Sequence, residues 1–441
     1  MARFFGLVKN EYIKILKKLS TKILLGLIVI SAFGLSLIAL VAEKTSQAEM
    51  EYFSDDYSAV DEYEEQISWL EQTKPEGYEI QIKAYQALID CDAGYEDWRC
   101  AAAEEISELD AAQASELLIY IKTNDWRGYC SLKIRTASSE SEKWGYQYRL
   151  DHGIDMSEKF DKQNALIDKI DEAKMGLEYA GSEESAEKSA YEDTVTLGMY
   201  QLENEIYENT ADMTNIMNMD LRNGVRFFNV FMQTPMLVTV ISMIMIIIAG
   251  GSVASEFHQG TIKFLLINPV KRWKILMSKY FTVITMGYIL TVLLFVLCIP
   301  AVGIIHGFAG INDPYLYVAD GEVQSMNSFL YAVRAFAIAS VETVVMATFA
   351  FAISSLIRSS ALAVGAGVFM MFAGNTIVMV LSQLGVDWAR YFLFANTDLL
   401  AISQGNSMFP QHTVGFAVAV LIAHMAVFIL TAWDGFTKKS V

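Results

Sequence analysis

SEFHQGTIKFLLINPVKRWKILMSK, residues 255–279, has a long apolar run on each side, which makes it a loop of a membrane protein. Five basic residues, Lys263, Lys271, Arg272, Lys274 and Lys279, stand in it against one acid, Glu256. The stretch 256–266 has the pattern of a short helix, with Phe257, Leu265 and Leu266 on one side. Pro269 stops it, because proline has no amide hydrogen and disfavours helix in the residue before it. Trp273, Ile275 and Leu276 then begin an amphipathic approach to the next apolar run. Basic loops stay on the cytoplasmic side, so this loop orients the rest of the chain.

Working outward, the 441 residues are 53% hydrophobic with a mean hydropathy of +0.31, a value soluble domains seldom reach. The net charge of -18 is segregated: +5 over 1–42, -25 over 43–226, +4 over 227–279 and -2 over the remainder. The acid is therefore one insert in a membrane protein. Six segments, 23–41, 235–254, 281–305, 329–357, 361–384 and 413–433, approach or exceed the roughly 20 residues a helix needs to cross a bilayer. Arg3, Lys9, Lys14, Lys17, Lys18 and Lys22 precede the first, and Lys438 and Lys439 follow the last. The alternate loops carry Asp313, Asp320 and Glu322, then Asp387 and Asp398. Every span agrees on both termini in the cytoplasm and the insert outside a bacterial plasma membrane. The first run is longer than a usual signal-peptide core, so a retained anchor is expected.

The expected fold class is an all-α integral membrane protein in four parts. Residues 1–22 form an interfacial amphipathic helix, with Phe4, Leu7, Val8, Tyr12 and Ile15 interleaved with lysines. Residues 23–42 are the first transmembrane helix. Residues 43–230 are an acidic, mostly helical extracellular domain, and 231–441 hold five further spans. In the insert, apolar residues recur at three and four spacing (Ile67, Leu70; Ile80, Tyr85, Leu88; Ile167, Ile170, Ala173), with breaks at 74–77, 91–95, 136–141 and 181–185. Trp69, Trp98, Trp126 and Trp144 supply area for a core, which argues against disorder. Segment 385–411 is too apolar for a free loop and too broken for a span. A re-entrant external pair of short helices fits, since non-helical backbone at membrane depth must be shielded by protein.

Catalytic chemistry finds no constellation. There is no phosphate-binding G-x-x-x-x-G-K-[ST] loop, no H-E-x-x-H and no G-x-S-x-G. No Cys/His cluster has metal spacing, so neither an enzyme nor a metal site is expected. Cys298 lies in the third span. Of Cys91, Cys100 and Cys130 in the insert, Cys91 and Cys100 flank a turn-like stretch, and spacing leaves a disulfide between them open. Glu342 and Arg334 are ionisable groups in the fourth span, where a charge costs at least about 2.5–3.5 kcal/mol. Eight positions apart, they sit about 12 Å from each other along a helix, too far to pair directly. Glu342 either lines a translocation path or bonds a neighbouring span. Gly365, Gly367 and Gly374 permit close helix packing, with an interface between two copies as one use.

The ordered series Glu256-Phe257, Gly260-Thr261, Leu265-Leu266, Pro269, Lys271-Arg272 and Lys279 resembles the loop between the second and third spans of type-2 ABC exporter permeases. Some Gram-positive members carry a large insert between the first two spans. The resemblance implies a coupling helix in which Glu256, Phe257, Gly260, Thr261, Lys263, Leu266, Pro269 and Arg272 meet a separate ABC ATPase subunit. ATP would be bound by that partner and no cofactor by this chain. The further partners implied are a second permease protomer, identical or related, and the lipid bilayer, with no nucleic acid. The substrate would be amphipathic: a peptide antibiotic, a lipid-linked molecule or a drug. The competing reading is a receptor or adaptor whose acidic extracellular domain binds a peptide ligand.

Overall fold

In a computed structural model, the structure describes residues 2–56, 58–94, 97–180, 186–207, 227–258, 271–309, 311–312, 314–319, 321–357, 359–409 and 412–437. The chain is a membrane protein. Among the described residues, six helices are long and apolar enough to span: Leu19–Thr45, Phe227–Glu256, Arg272–His306, Ser328–Leu356, Ser360–Gln383 and Val414–Thr437. It divides into two compact units, Met1–Val41 with Asp212–Asp313 and Asn327–Val441, and Ala42–Ala211 with Pro314–Met326.

The first unit begins with α1 (Ala2–Lys17) and the apolar part of α2 (Leu19–Asp56). It continues with α11 (Phe227–Phe231), α12 (Val238–His258), α13 (Arg272–His306), α14 (Ser328–Leu356), α15 (Ser360–Gln383), α16 (Leu399–Ser403) and α17 (Val414–Thr437). On α2, Ile28, Ala32, Leu35 and Ala39 are buried, one stripe at four and three spacing. The tightest pairing is α12 with α14. Without a hydrophobic drive between helices in lipid, such a seam depends on close fit and polar contacts. Here Ser242 Oγ meets Thr343 Oγ1 at 3.1 Å, and the amides of Val253 and Ala254 both donate to Ser354 Oγ, at 3.2 and 3.0 Å.

Glycine opens the neighbouring contacts. A Cβ on Gly367 would stand 2.6 Å from Ile246 Cγ2, and one on Gly374 would stand 2.1 Å from Phe394 Cδ2. Both glycines therefore serve packing inside the chain, and Gly365 has open space around it. The described residues of segment 385–411 form two 3₁₀ turns, Asp387–Tyr391 and Leu393–Ala395, followed by α16, one more short piece than expected.

The second unit is helical as its periodicity predicts: α3 (Ala59–Thr73), α4 (Tyr78–Asp90), α5 (Trp98–Glu105), α6 (Ala111–Thr123), α7 (Trp126–Thr136), α8 (Glu140–His152), α9 (Asp161–Ala180) and α10 (Ala186–Glu203). Its helix starts use side-chain caps. Ser58 with Asp61, and Asp110 with Gln113, form capping boxes. Asp97, Asp125 and Ser139 accept from first-turn amides. The main core gathers Leu70, Leu88, Ile106, Leu117, Ile121 and Leu132, and a second gathers Leu166, Ile167, Ile170 and Leu202.

One expectation needs correction, and one open question has an outcome. The all-α reading misses a hairpin, β1 (Pro314–Ala319) and β2 (Glu322–Asn327), which packs on α10 within the second unit. Asp320-Gly321 is a two-residue hairpin signal in the sequence, and Gly321 has the positive φ, 77°, that such a turn uses. The open disulfide is not formed, since Cys91 and Cys100 are both free thiols. Cys91 Sγ accepts from Arg99 Nη1 at 3.1 Å, while Cys100 Sγ pairs with the Tyr63 hydroxyl at 2.7 Å and donates to the Gly94 carbonyl at 3.2 Å.

Candidate functional site

The candidate site is a buried ion network where α1, the end of α12 and the start of α13 converge. Lys279 sits two turns into α13 with only 1% of its surface exposed. A lysine this deep is tolerated only with its ammonium fully paired. Its Nζ donates to Glu256 Oε1 at 2.8 Å, Glu11 Oε2 at 2.9 Å and the Ser252 carbonyl at 3.4 Å. Lys14, one turn after Glu11 on α1, donates to Glu256 Oε1 at 3.1 Å and Glu11 Oε1 at 3.2 Å. Two carboxylates and two ammoniums thus form a charge-balanced set across three helices. Burial weakens the charge on Lys14, but the Glu256 and Glu11 carboxylates outweigh it and raise its pKa above the ordinary lysine value.

Helix periodicity delivers these groups. Val8, Glu11 and Ile15 lie at three and four spacing on α1 and are all buried, so that face seats on α13 and carries Glu11 inward. Tyr12 adds a hydroxyl bond to Thr285 Oγ1. The helix expected to lie on the membrane surface is therefore anchored to a span. Beside the network is a cavity of about 370 Å³, lined by Lys14, Lys18, Thr21, Ser252 and Glu256 among others.

Of the residues singled out in the loop, Glu256 is buried in this network. The backbone of Phe257 lies in the last turn of α12, and Arg272 opens α13 on an exposed face. Gly260, Thr261, Lys263, Leu266 and Pro269 lie outside the described residues. Trp273 stacks on Trp433 of α17, centroids 6.2 Å apart. Glu342 is half-buried and accepts from Thr239 Oγ1 of α12 at 3.2 Å, while Arg334 is exposed on α14. Among the described residues no His/Cys/Asp/Glu group has the arrangement of a metal site.

Sequence reasoning passed over Glu11 and Lys14. The available signal was sign: Glu11 is the single acid in residues 1–42, as Glu256 is in 255–279. It also passed over a hydrogen-bonded knot in the segment after α15. The fully buried Asn396 donates through Nδ2 to the carbonyls of Arg390 (2.8 Å) and Phe392 (2.7 Å), and its Oδ1 accepts from His412 Nε2 at 2.9 Å. His412 Nδ1 is then left to accept from Ser407 Oγ at 2.8 Å. The knot fixes one neutral tautomer of His412, whose pKa is lowered by burial and by the nearby Arg390.

A model of the family described as "Protein of unknown function (DUF2705)" matches residues 200–441. In Bacillus subtilis (strain 168), the "Uncharacterized protein YhcI" is 32% identical over 261 residues, covering 59% of this chain and 79% of that relative. The "Uncharacterized membrane protein YdbK" of the same organism is 31% identical over 216 residues, covering 49% of this chain and 83% of the relative. No solved structure matches. The matched region holds five of the six candidate spans, together with Glu256 and Lys279, and the chain belongs to the DUF2705 family.

Proposed function

We propose that this chain is the permease subunit of an ATP-driven type-2 ABC exporter, with its energy supplied by a separate ATPase subunit. The observation that carries the reading is the clamp on the 255–279 loop. Glu256 at its entry and Lys279 at its exit share one buried network with Glu11 of α1. A loop that only rested among lipid headgroups would gain little from having both ends locked. A loop that receives a push gains a rigid path, because displacement of α12 or α13 must drag the other and α1 with it. The six candidate spans, and the absence of any phosphate-binding loop in the sequence, suit a transport subunit that hydrolyses nothing itself.

In this reading both termini and the 255–279 loop are cytoplasmic, and the acidic insert is extracellular. Two six-span protomers, identical or related, surround the path, and Glu342 faces it. The substrate is amphipathic.

The test is purification of the tagged chain from native membranes in mild detergent, followed by nucleotide-binding and ATPase assays. The expected result is a co-purifying ATP-binding subunit whose hydrolysis depends on the permease. Glu256→Lys and Gly260→Trp should separate hydrolysis from transport. Recovery of the chain without any nucleotide-binding subunit would refute the reading and leave the receptor or adaptor. So would wild-type coupling in both variants at equal expression.

A further inference from the structure

The second unit holds a cavity of about 330 Å³ that has no part in the transport reading. It is lined by Trp98 at the start of α5, Trp126 at the start of α7, Met156, Asn124 and the carboxylates of Asp97 and Asp155. Among the described residues no lysine, arginine or histidine lines it. The two acids are not equivalent. Asp97 is compensated by Arg99, whose guanidinium pairs with both of its oxygens. Asp155 accepts from the Ser157 amide at 3.0 Å and from the Ser157 hydroxyl, both on Oδ1, and no cation pairs with it among the described residues. Its Oδ2 and its charge remain uncompensated at the wall. The indoles are held in place by the protein itself. Trp98 stacks on Tyr129, centroids 4.8 Å apart, and donates through Nε1 to Asn124 Oδ1 at 3.1 Å. The Arg127 guanidinium lies 4.5 Å from the centroid of the Trp126 ring and takes one face of it, so a further cation has the other face and Trp98.

We infer that this cavity binds the alkylammonium head of an organic cation. The head would rest between the Asp155 carboxylate and the indoles, since the face of an aromatic ring attracts a cation. Its methylenes would pack on Met156 and the ring surfaces. Other occupants fit less well. A calcium ion takes about six to eight oxygen ligands, whereas here one uncompensated carboxylate stands beside two indoles that supply none. A neutral apolar ligand would leave the Asp155 charge without a partner. The charge of -25 over 43–226 draws cations toward this unit over distance. Free amines and lysine side chains share the chemistry. The assignment goes beyond the exporter reading and is tested without any ATPase, so either can fail alone.

The test titrates the full chain in detergent with butylammonium chloride and with neutral butanol, read by isothermal calorimetry. Butylammonium should give a saturable heat and butanol none. Asp155→Asn keeps an oxygen for the Ser157 amide and deletes the charge. Losing one charge-assisted hydrogen bond is worth about tenfold in affinity, so this variant should bind butylammonium weaker by about that factor, and Asp155→Glu should recover part of the loss. Trp126→Leu should weaken binding about threefold. A measurement on the unaltered chain covers the case in which a variant fails to fold. Raising salt from about 50 to about 500 mM should weaken binding of butylammonium, and insensitivity to salt would overturn the inference. So would an equal response to butanol, undiminished affinity in folded Asp155→Asn, or displacement of butylammonium by calcium at matched ionic strength. Nα-acetyl-lysine amide is a separate arm. Binding as tight as that of butylammonium would support the assignment with lysine side chains as a source, and binding of butylammonium alone would support it for free amines.

Discussion

Replacing Lys279 by methionine keeps most of the side-chain volume and deletes the ammonium that three acceptors share. Glu11 and Glu256 would then face each other with Lys14 as their one remaining cation. Their side chains are 11% and 10% exposed, so water can screen little of the repulsion. Breaking a buried ion pair by removing one partner costs about 3–5 kcal/mol. Lys14, at 42% exposure, offsets at most about 1 kcal/mol of that. The net loss is about 3 kcal/mol, which for a unit of this size lowers the unfolding midpoint by about 6–12 °C. The assay is a thermal scan of the detergent-solubilised chain by intrinsic fluorescence, at one fixed scan rate because unfolding of such proteins is commonly irreversible. Adding Glu256→Gln to Lys279→Met removes the excess negative charge and should recover about half the loss. A drop under about 2 °C, or a double variant no better than the single one, would refute the claim that this network is buried and mutually paired.

Four further outcomes follow from the same geometry. The lowered pKa of His412 means that the folded state resists its protonation. Stability contributed by the Asn396–His412–Ser407 knot should be complete above the unfolded value of about 6.5 and fall as pH drops below it, with His412→Gln flattening that slope in a pH series of thermal scans. Asp171 has its pKa pushed up to about 6, chiefly by burial, so its contribution is most favourable below about 4 and is lost as pH rises through 6. Asp171→Asn should accordingly slow hydrogen exchange of the α8 and α9 amides at pH 7.5 and leave it unchanged near pH 4, and equal exchange at both would count against this. Maleimide labelling should modify exposed Cys91 first and Cys130 far more slowly, since burial pushes the Cys130 thiol up to about 11. Gly374→Ala should destabilise the first unit by about 1–3 kcal/mol through the clash with Phe394, whereas Gly365→Ala, with open space at its Cβ, should be near neutral.

What was readable in the sequence follows the range of the physics behind it. Spans and insert helices announce themselves through composition and three-and-four spacing, so all six candidate spans and the insert breaks at 74–77, 91–95 and 136–141 fall where expected, while the expected break at 181–185 lies outside the described residues and those near 109–110, 124–125 and 153–160 were not anticipated. One of the unanticipated breaks, at Asn124-Asp125, is a left-handed cap followed by an N-cap, a junction with no glycine or proline to advertise it. The hairpin has no period-two signature in its twelve strand residues, since Pro314–Ala319 is a nearly continuous apolar run and Val323 and Met326 stand three apart, so only Asp320-Gly321 marks the turn. Cys91 and Cys100 show the opposite limit. Eight intervening residues suit a disulfide, but Arg99 and Tyr63 bring polar partners to each sulfur from positions that spacing does not encode.

The ion network joins these two cases. Residues 1–42 and 255–279 are each basic with one acid, and those two acids, Glu11 and Glu256, meet the same lysine. Basic residues at span ends are explained by topology alone, because orientation depends on their number and side. An acid among them works against that rule and weakens attraction to anionic headgroups, so topology gives no reason for it. Its position relative to the buried stripe then becomes informative. Glu11 falls between Val8 and Ile15 on the face of α1 that packs on α13, where an unpaired carboxylate would be expensive. The sequence therefore demands a buried cation for Glu11 without naming it. Lys279, the last basic residue before the third span becomes wholly apolar, is the candidate at matching depth. On that argument the sign of a residue against its surroundings, taken with helical phase, locates the network more directly than the order of motifs along the loop.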